Sequence, residues 1–84
     1  MSEVRLYTAQ GCHLCDEAKR LLDDLAPRLG FSYEIVVIDG DPALESAYRA
    51  EIPVVELGGR KHAKYRLDSA KFERALRAFR GDPR

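Results

Sequence analysis

The sequence predicts a single α/β domain in which a four-stranded mixed sheet is flanked by three helices. Short β-rich segments alternate with helical segments in the order β-α-β-α-β-β-α. The opening β-α-β unit requires a right-handed crossover and makes its two strands parallel, whereas the Gly58-Gly59 pair predicts an antiparallel hairpin. A chain of 84 residues has room for one hydrophobic core, so we assign residues 1–84 to one domain.

The first strand and the first helix follow from the spacing of apolar residues. Charged and apolar residues alternate over residues 3–8, which is typical of a half-buried strand. Leucine and alanine then recur every three to four residues from Leu14 to Leu29, which places them on one helix face. Because Pro27 has no N–H group, we expect this helix to kink or end near Leu25.

The middle of the chain predicts three more strands and a short helix. Residues 31–38 are rich in β-branched and aromatic side chains and should form a buried parallel strand. Asp41 can cap the short helix, with Pro42 at its first helical position. Residues 52–57 form the third predicted strand, and residues 60–66 form a polar fourth strand after the hairpin turn.

The last helix has signals at both of its ends. Asp68 is the predicted N-cap, and Leu67 and Phe72 stand at the two positions of a hydrophobic staple. The predicted buried face consists of Phe72, Ala75, Leu76 and Phe79. Gly81 should end the helix, and residues 82–84 should form a frayed tail.

The composition excludes several classes of protein. Fourteen Lys and Arg balance fourteen Asp and Glu, whereas a nucleic-acid-binding chain would be clearly basic. The longest aliphatic run, residues 35–38, is far shorter than the ~20 apolar residues of a membrane-spanning helix. The first residues also lack the basic start and the apolar segment of a secretory signal. We therefore expect a cytoplasmic protein that binds neither nucleic acid nor membranes.

Two cysteines stand where the first strand gives way to the first helix, with Cys12 expected at or just before the first helical residue. The unpaired N–H groups and the dipole there should lower the pKa of the Cys12 thiol from its free value of ~8.5. Cys15 follows one turn later on the same side, within bridging reach. This spacing predicts that Cys12 attacks a disulfide and that Cys15 resolves the mixed disulfide. His13, when protonated, would stabilise the thiolate further.

Two other interpretations of the cysteine pair stay open. Free cysteines are often small hydrophobic residues of the core. A structural zinc site needs four ligands, and the chain has four candidates: Cys12, Cys15, His13 and His62. A single Cys-x-x-Cys pair is a weak zinc signal without a second pair, so we predict no metal site.

Pro53 opens the third predicted strand. Only about 5–6% of X-Pro bonds in folded proteins are cis, so the residues alone favour an ordinary trans proline. A proline is tolerated at the start or edge of a strand because it cannot donate to a neighbouring strand. The sequence therefore predicts a trans Pro53 at a strand edge.

Four stretches of the sequence together carry a family resemblance. They are Leu6-Tyr7, Gly11-Cys12-His13-Leu14-Cys15-Asp16, Asp39-Gly40-Asp41-Pro42 and Ile52-Pro53-Val54-Val55. In this combination the chain resembles the glutaredoxin-like branch of the thioredoxin superfamily, from about Val4 to Phe79. The resemblance implies a thioredoxin fold with sheet order 2-1-3-4. It also implies that Pro53 is cis and packs beside the Cys12 sulfur.

The resemblance also implies a site. In this family the residue before the proline offers its backbone to the substrate, a role that passes to Ile52. We accordingly predict substrate binding by four residues around the cysteines: Gly11, His13, Ile52 and Pro53. Many family members dock glutathione at a Gly-Gly-x-Asp stretch that enters the last helix, whereas this chain reads Arg66-Leu67-Asp68-Ser69.

We therefore predict a monomeric thiol–disulfide oxidoreductase with a redox-active Cys12–Cys15 pair and no bound cofactor. Its partners would be a protein disulfide or a glutathione mixed disulfide, with a reductase or glutathione as the electron donor. The alternative is a non-catalytic thioredoxin-fold module. Such a module would hold a protein partner or an iron–sulfur cluster bridged between two chains.

Overall fold

The computed structural model describes residues 3–81, and its elements follow the predicted order. The strands are β1 (Val4–Thr8), β2 (Tyr33–Val37), β3 (Val54–Leu57) and β4 (Arg60–Lys64). The helices are α1 (His13–Leu29), α2 (Pro42–Tyr48) and α3 (Ser69–Phe79). None of these helices is long and apolar enough to cross a membrane. The predicted tail at residues 82–84 lies outside the described residues.

The four strands form one mixed sheet in the order β2-β1-β3-β4. Strand β1 is parallel to β2 and antiparallel to β3, and β3 is antiparallel to β4 across the Gly58-Gly59 turn. The predicted α/β class, the hairpin and the order 2-1-3-4 are therefore confirmed. This topology brings the ends of β1, β2 and β4 and the start of β3 to the same edge of the sheet, which we call the cysteine edge.

Helix α1 continues through Pro27 to Leu29, so the expected end near Leu25 is wrong. Pro27 stands in the last turns, where its missing N–H removes one helical hydrogen bond. Meanwhile Leu25 is buried in the core and Leu29 packs against it, which favours the longer helix. Gly30 ends the helix in a left-handed conformation, with its N–H donating to the Ala26 carbonyl at 2.8 Å.

Apolar side chains form one cluster on each face of the sheet. The larger cluster lies between the sheet and helices α1 and α3, where Phe72 and Leu22 are fully buried. The smaller cluster lies on the other face, where Tyr7 and Val54 meet side chains of α2. Successive side chains of β1 thus pack into opposite clusters, because side chains along a strand point alternately to the two faces of the sheet.

Two predicted burial assignments are wrong. Residues 31–38 were expected to form a buried strand, yet Ile35 and Val37 are 45% and 50% exposed. Strand β2 is an edge strand with β1 as its one neighbour, so one side of it faces solvent. Phe79 is also 50% exposed, and its ring lies against Gly58 of the hairpin turn.

The strand boundaries at the cysteine edge also differ from expectation. Strand β3 begins at Val54, so Ile52 and Pro53 form a connection that leads into it. Strand β4 ends at Lys64, and residues 65–68 form a separate segment before α3. Asp68 caps α3 as predicted, since its carboxylate accepts the Lys71 N–H at 2.9 Å. The pairing between β3 and β4 therefore stops at Val54 and Lys64, beside the cysteines.

Candidate functional site

The turn between β1 and α1 makes Cys12 the N-cap of α1. Gly11 has a φ of 73°, a left-handed conformation that other residues rarely adopt, and this lets the chain turn sharply before the helix. Cys12 keeps an extended backbone, with φ −98° and ψ 105°, and His13 is the first helical residue. The predicted position of Cys12 at the start of the helix is confirmed.

The Cys12 sulfur receives a backbone N–H from the first turn of α1. Cys15 N–H donates to Cys12 Sγ at 3.1 Å, and Asp16 N–H donates to the Cys12 carbonyl at 3.1 Å. The first N–H groups of a helix lack helical partners and carry the positive end of its dipole. A thiolate at Cys12 would accept the same N–H with a full negative charge, which strengthens such a bond. The geometry therefore favours an ionised sulfur.

The two cysteines form a disulfide, with their Cα atoms 5.2 Å apart. Cys12 is partly exposed, whereas Cys15 is 1% exposed. A reagent from solution therefore reaches the Cys12 sulfur and not that of Cys15. A pair of ordinary core cysteines would both be buried, so this alternative does not fit Cys12. Gly11 and His13 are exposed on either side of it.

The Ile52–Pro53 peptide bond is cis. The trans bond favoured by the residues alone is wrong, and the cis bond implied by the family resemblance is correct. Pro53 is buried and its carbonyl accepts the Tyr65 N–H at 2.9 Å, while Ile52 is partly exposed. The Ile52 N–H already donates to the Tyr48 carbonyl at 3.1 Å. Of the predicted backbone contacts, this leaves the Ile52 carbonyl to serve a substrate.

Asp39 belongs to the site but was not among the predicted residues. Its carboxylate accepts the Gln10 N–H at 2.9 Å and the Arg49 guanidinium at 3.1 Å. These contacts tie the turn that carries Cys12 to the end of β2. One signal was available in the sequence, because the carboxyl ends of parallel strands meet at one edge and Asp39 comes two residues after the end of β2.

The zinc interpretation needs His62 beside the cysteines. The His62 ring instead packs edge-on against Phe72 in the core, with ring centroids 5.6 Å apart, and burial lowers its pKa. Within residues 3–81, no three His, Cys, Asp or Glu side chains are grouped so that they could hold a metal ion. The four candidate ligands are therefore not brought together in one chain.

The family profile described as Glutaredoxin-like domain (DUF836) matches residues 3–77. This chain belongs to the glutaredoxin-like domain family. An uncharacterized protein of Mycobacterium tuberculosis, Rv0508, is 33% identical over 81 residues, covering 90% of this chain and 79% of that protein. The matched region of this glutaredoxin-like chain includes both the cysteine turn and the Ile52–Pro53 connection.

Solved structures share the fold of this chain. The protein XcR50 of X. campestris has a TM-score of 0.75 and 34% identity, covering 89% of this chain and 96% of that one. The glutaredoxin of Archaeoglobus fulgidus has a TM-score of 0.63 and 21% identity, covering 92% of this chain and 88% of its own. The second likeness shows the thioredoxin-type fold, whose sheet order this glutaredoxin-like chain shares.

Proposed function

We propose that this protein is a thiol–disulfide oxidoreductase whose reduced Cys12 attacks a substrate disulfide. The observation that carries the proposal is the position of Cys12, as a partly exposed N-cap whose sulfur accepts the Cys15 N–H. A helix N-terminus stabilises a thiolate relative to a thiol. The glutaredoxin-like fold and the Cys-x-x-Cys pair are consistent with redox chemistry.

In the first step the Cys12 thiolate attacks one sulfur of the substrate disulfide. A disulfide forms between Cys12 and the substrate, and the second substrate sulfur leaves as a thiolate. The Cys15 N–H donates to the attacking sulfur, and a protonated His13 beside it adds a favourable charge. The Ile52 carbonyl supplies an acceptor for a substrate N–H.

In the second step the Cys15 thiolate attacks the Cys12 sulfur. The Cys12–Cys15 disulfide forms and the first substrate sulfur leaves, so the substrate gains two electrons and this protein loses two. With the bond formed, the two Cα atoms lie 5.2 Å apart, which is within the ordinary range for a disulfide. Two external thiols, from two glutathione molecules or from the dithiol of a reductase, then reduce the pair for the next cycle and leave as a disulfide.

We propose a protein disulfide as the substrate in preference to a glutathione mixed disulfide. Where many family members have Gly-Gly-x-Asp, the segment entering α3 reads Arg66-Leu67-Asp68-Ser69, with Leu67 buried and Asp68 capping the helix. The Asp68 carboxylate already accepts a hydrogen bond from the Lys71 N–H. The cytoplasmic location and the monomeric state remain predictions from the sequence.

The test measures alkylation of Cys12 against pH in the reduced Cys15→Ser variant. We expect a midpoint at least one pH unit below the ~8.5 of a free thiol. Cys12→Ser, which retains Cys15, is the matched control and should react slowly because that sulfur is buried. In turnover assays Cys12→Ser should be inactive, and Cys15→Ser should accumulate a mixed disulfide with a peptide substrate.

Two outcomes would contradict the proposal. An alkylation midpoint near pH 8.5 would show that the Cys12 thiol is not activated. A brown, iron-bearing dimer without disulfide turnover would instead favour the binding module with a bridged cluster. Reduction of a glutathionylated peptide, but of no protein disulfide, would contradict the substrate assignment and leave the chemistry intact.

A further inference from the structure

A groove of about 220 Å³ lies beside the cysteine turn. One wall is formed by α1, starting at Leu14 between the two cysteines, and the other is the segment after β4. Its lining is apolar at Leu14, Ala18, Leu21 and Leu67, with Tyr65 at the rim. Because Leu14 lies between the two cysteines in the chain, the groove reaches the first turn of α1, and Glu17 and Arg66 add charged side chains to its apolar lining.

Tyr65 has a backbone conformation that side chains disfavour. Its φ is 69°, and it is the one non-glycine residue in positions 3–81 with a positive φ. Its N–H donates to the Pro53 carbonyl at 2.9 Å, which fixes this backbone against the cis proline. Strained backbone of this kind is concentrated at functional sites, where the surroundings hold it in place.

The Tyr65 ring is displayed rather than buried. The residue is 45% exposed. Lys64 Nζ lies 5.5 Å from the ring centroid. Arg66 pairs with Glu17 across the groove at 3.5 Å. Lys64 and Arg66 thus place two positive charges, and Glu17 one negative charge, around the exposed Tyr65 ring.

We propose that this groove binds an extended segment of a protein disulfide, and that Tyr65 determines its specificity. The segment has an apolar side chain beside the attacked cysteine, which packs between Tyr65 and Leu14, and an acidic residue beyond it near Lys64. This inference rests on the proposed function and names its substrate class. Glutathione has glutamyl and glycine neighbours on its cysteine, and therefore lacks the apolar side chain that the groove accepts.

The test is single-turnover reduction by the pre-reduced full chain, using three probes. Two are cyclic disulfide peptides, one with Leu beside the cysteine and Asp beyond it, the other with Ser at both positions. The third is 2-hydroxyethyl disulfide, which is too small to fill the groove. Three proteins are compared: wild type, Tyr65→Asn, which tolerates the left-handed backbone but lacks the ring, and Tyr65→Phe, which keeps it.

We expect Tyr65→Asn to raise the half-saturating concentration of the Leu-Asp peptide about tenfold, the effect of one lost apolar contact. The loss should be larger for the Leu-Asp peptide than for the Ser peptide and the small disulfide, and Tyr65→Phe should lose less than Tyr65→Asn. Equal use of both peptides by wild type, or an unchanged Leu-Asp value in Tyr65→Asn, would overturn the inference. Failure of wild type to reduce any of the three probes would instead overturn the proposed function.

Folding must be controlled, since Tyr65 also holds Pro53. Tyr65→Gly retains the backbone N–H and relieves the strain, so its thermal midpoint should equal or exceed that of wild type. It should show the same tenfold effect on the Leu-Asp peptide as Tyr65→Asn. A stable Tyr65→Gly protein with wild-type peptide kinetics would equally overturn the assignment of Tyr65.

Discussion

The carboxylate of Asp39 accepts the backbone N–H of Gln10 at 2.9 Å, joining residues 29 positions apart in the sequence. The Gln10 N–H and the Arg49 guanidinium hold the pKa of Asp39 below its ordinary value of 3.8. The carboxylate is therefore charged at neutral pH. It fixes the turn that carries Cys12 without touching the sulfur, so Asp39 is a positioning residue.

Replacing Asp39 by Ala should slow disulfide reduction between about 3-fold and 10-fold, well below the ~100-fold cost of a 1 Å misplacement of reacting groups. The control is Glu34→Ala, which removes an exposed ion pair with Arg5 away from the turn. Because folding lowers the pKa of Asp39, its contribution to the stability of the folded protein is complete above pH 3.8. That contribution is lost as the pH falls through the folded pKa. Unchanged turnover and an unchanged Cys12 alkylation profile in Asp39→Ala would contradict a positioning role.

Two phenylalanines of α3 provide a matched test of the core. Phe72 is fully buried, so Phe72→Ala should lower the free energy of unfolding by about 3–5 kcal/mol. Phe79 is 50% exposed, and Phe79→Ala should cost about 1 kcal/mol or less. Urea denaturation measures both, and Phe72→Leu gives a folded intermediate case if Phe72→Ala does not fold. Similar losses at the two positions would show that the described packing of α3 is wrong.

The hairpin turn contains two glycines with different surroundings. Gly58 has a φ of 61°, and a Cβ there would overlap the Phe79 ring, whereas Gly59, with a φ of 82°, has open space. Gly59→Ala should lose about 1–2 kcal/mol of unfolding free energy from the left-handed backbone alone. Gly58→Ala should lose more.

The double variant Gly58→Ala, Phe79→Ala separates the two contributions. Removing the ring relieves the overlap, so Gly58→Ala should cost less in the Phe79→Ala background than in wild type. The comparison uses unfolding free energies of the four proteins in the cycle. An additive cycle would show that the ring does not constrain this glycine.

His62 should make stability depend on pH. Burial lowers its pKa from the ordinary value of 6.5, so below pH 6.5 the unfolded chain takes up a proton more readily than the folded one. His62 therefore has no effect on stability above pH 6.5. The free energy of unfolding falls as the pH drops through the folded pKa of His62. Between pH 7.5 and 5.0, His62→Gln should therefore lose less stability than wild type.

The sequence by itself determined the features that depend on neighbours within a few residues. Caps at Asp41 and Asp68, the Gly58-Gly59 turn and the cysteines at a helix start all appear where they were predicted. Helix caps and tight turns act locally, because a side chain there satisfies backbone groups two or three residues away. The order of elements then fixed the mixed sheet.

Only the tertiary structure decided what depends on strands that meet from distant parts of the chain. Spacing did not show that β2 would be an edge strand with Ile35 exposed, or that Asp39 would reach Gln10. The hydrogen bond from Tyr65 to Pro53 likewise exists only because β3 and β4 both place an end at the cysteine edge. Burial and hydrogen bonding of this kind depend on how whole strands are arranged, and the local sequence pattern does not determine that arrangement.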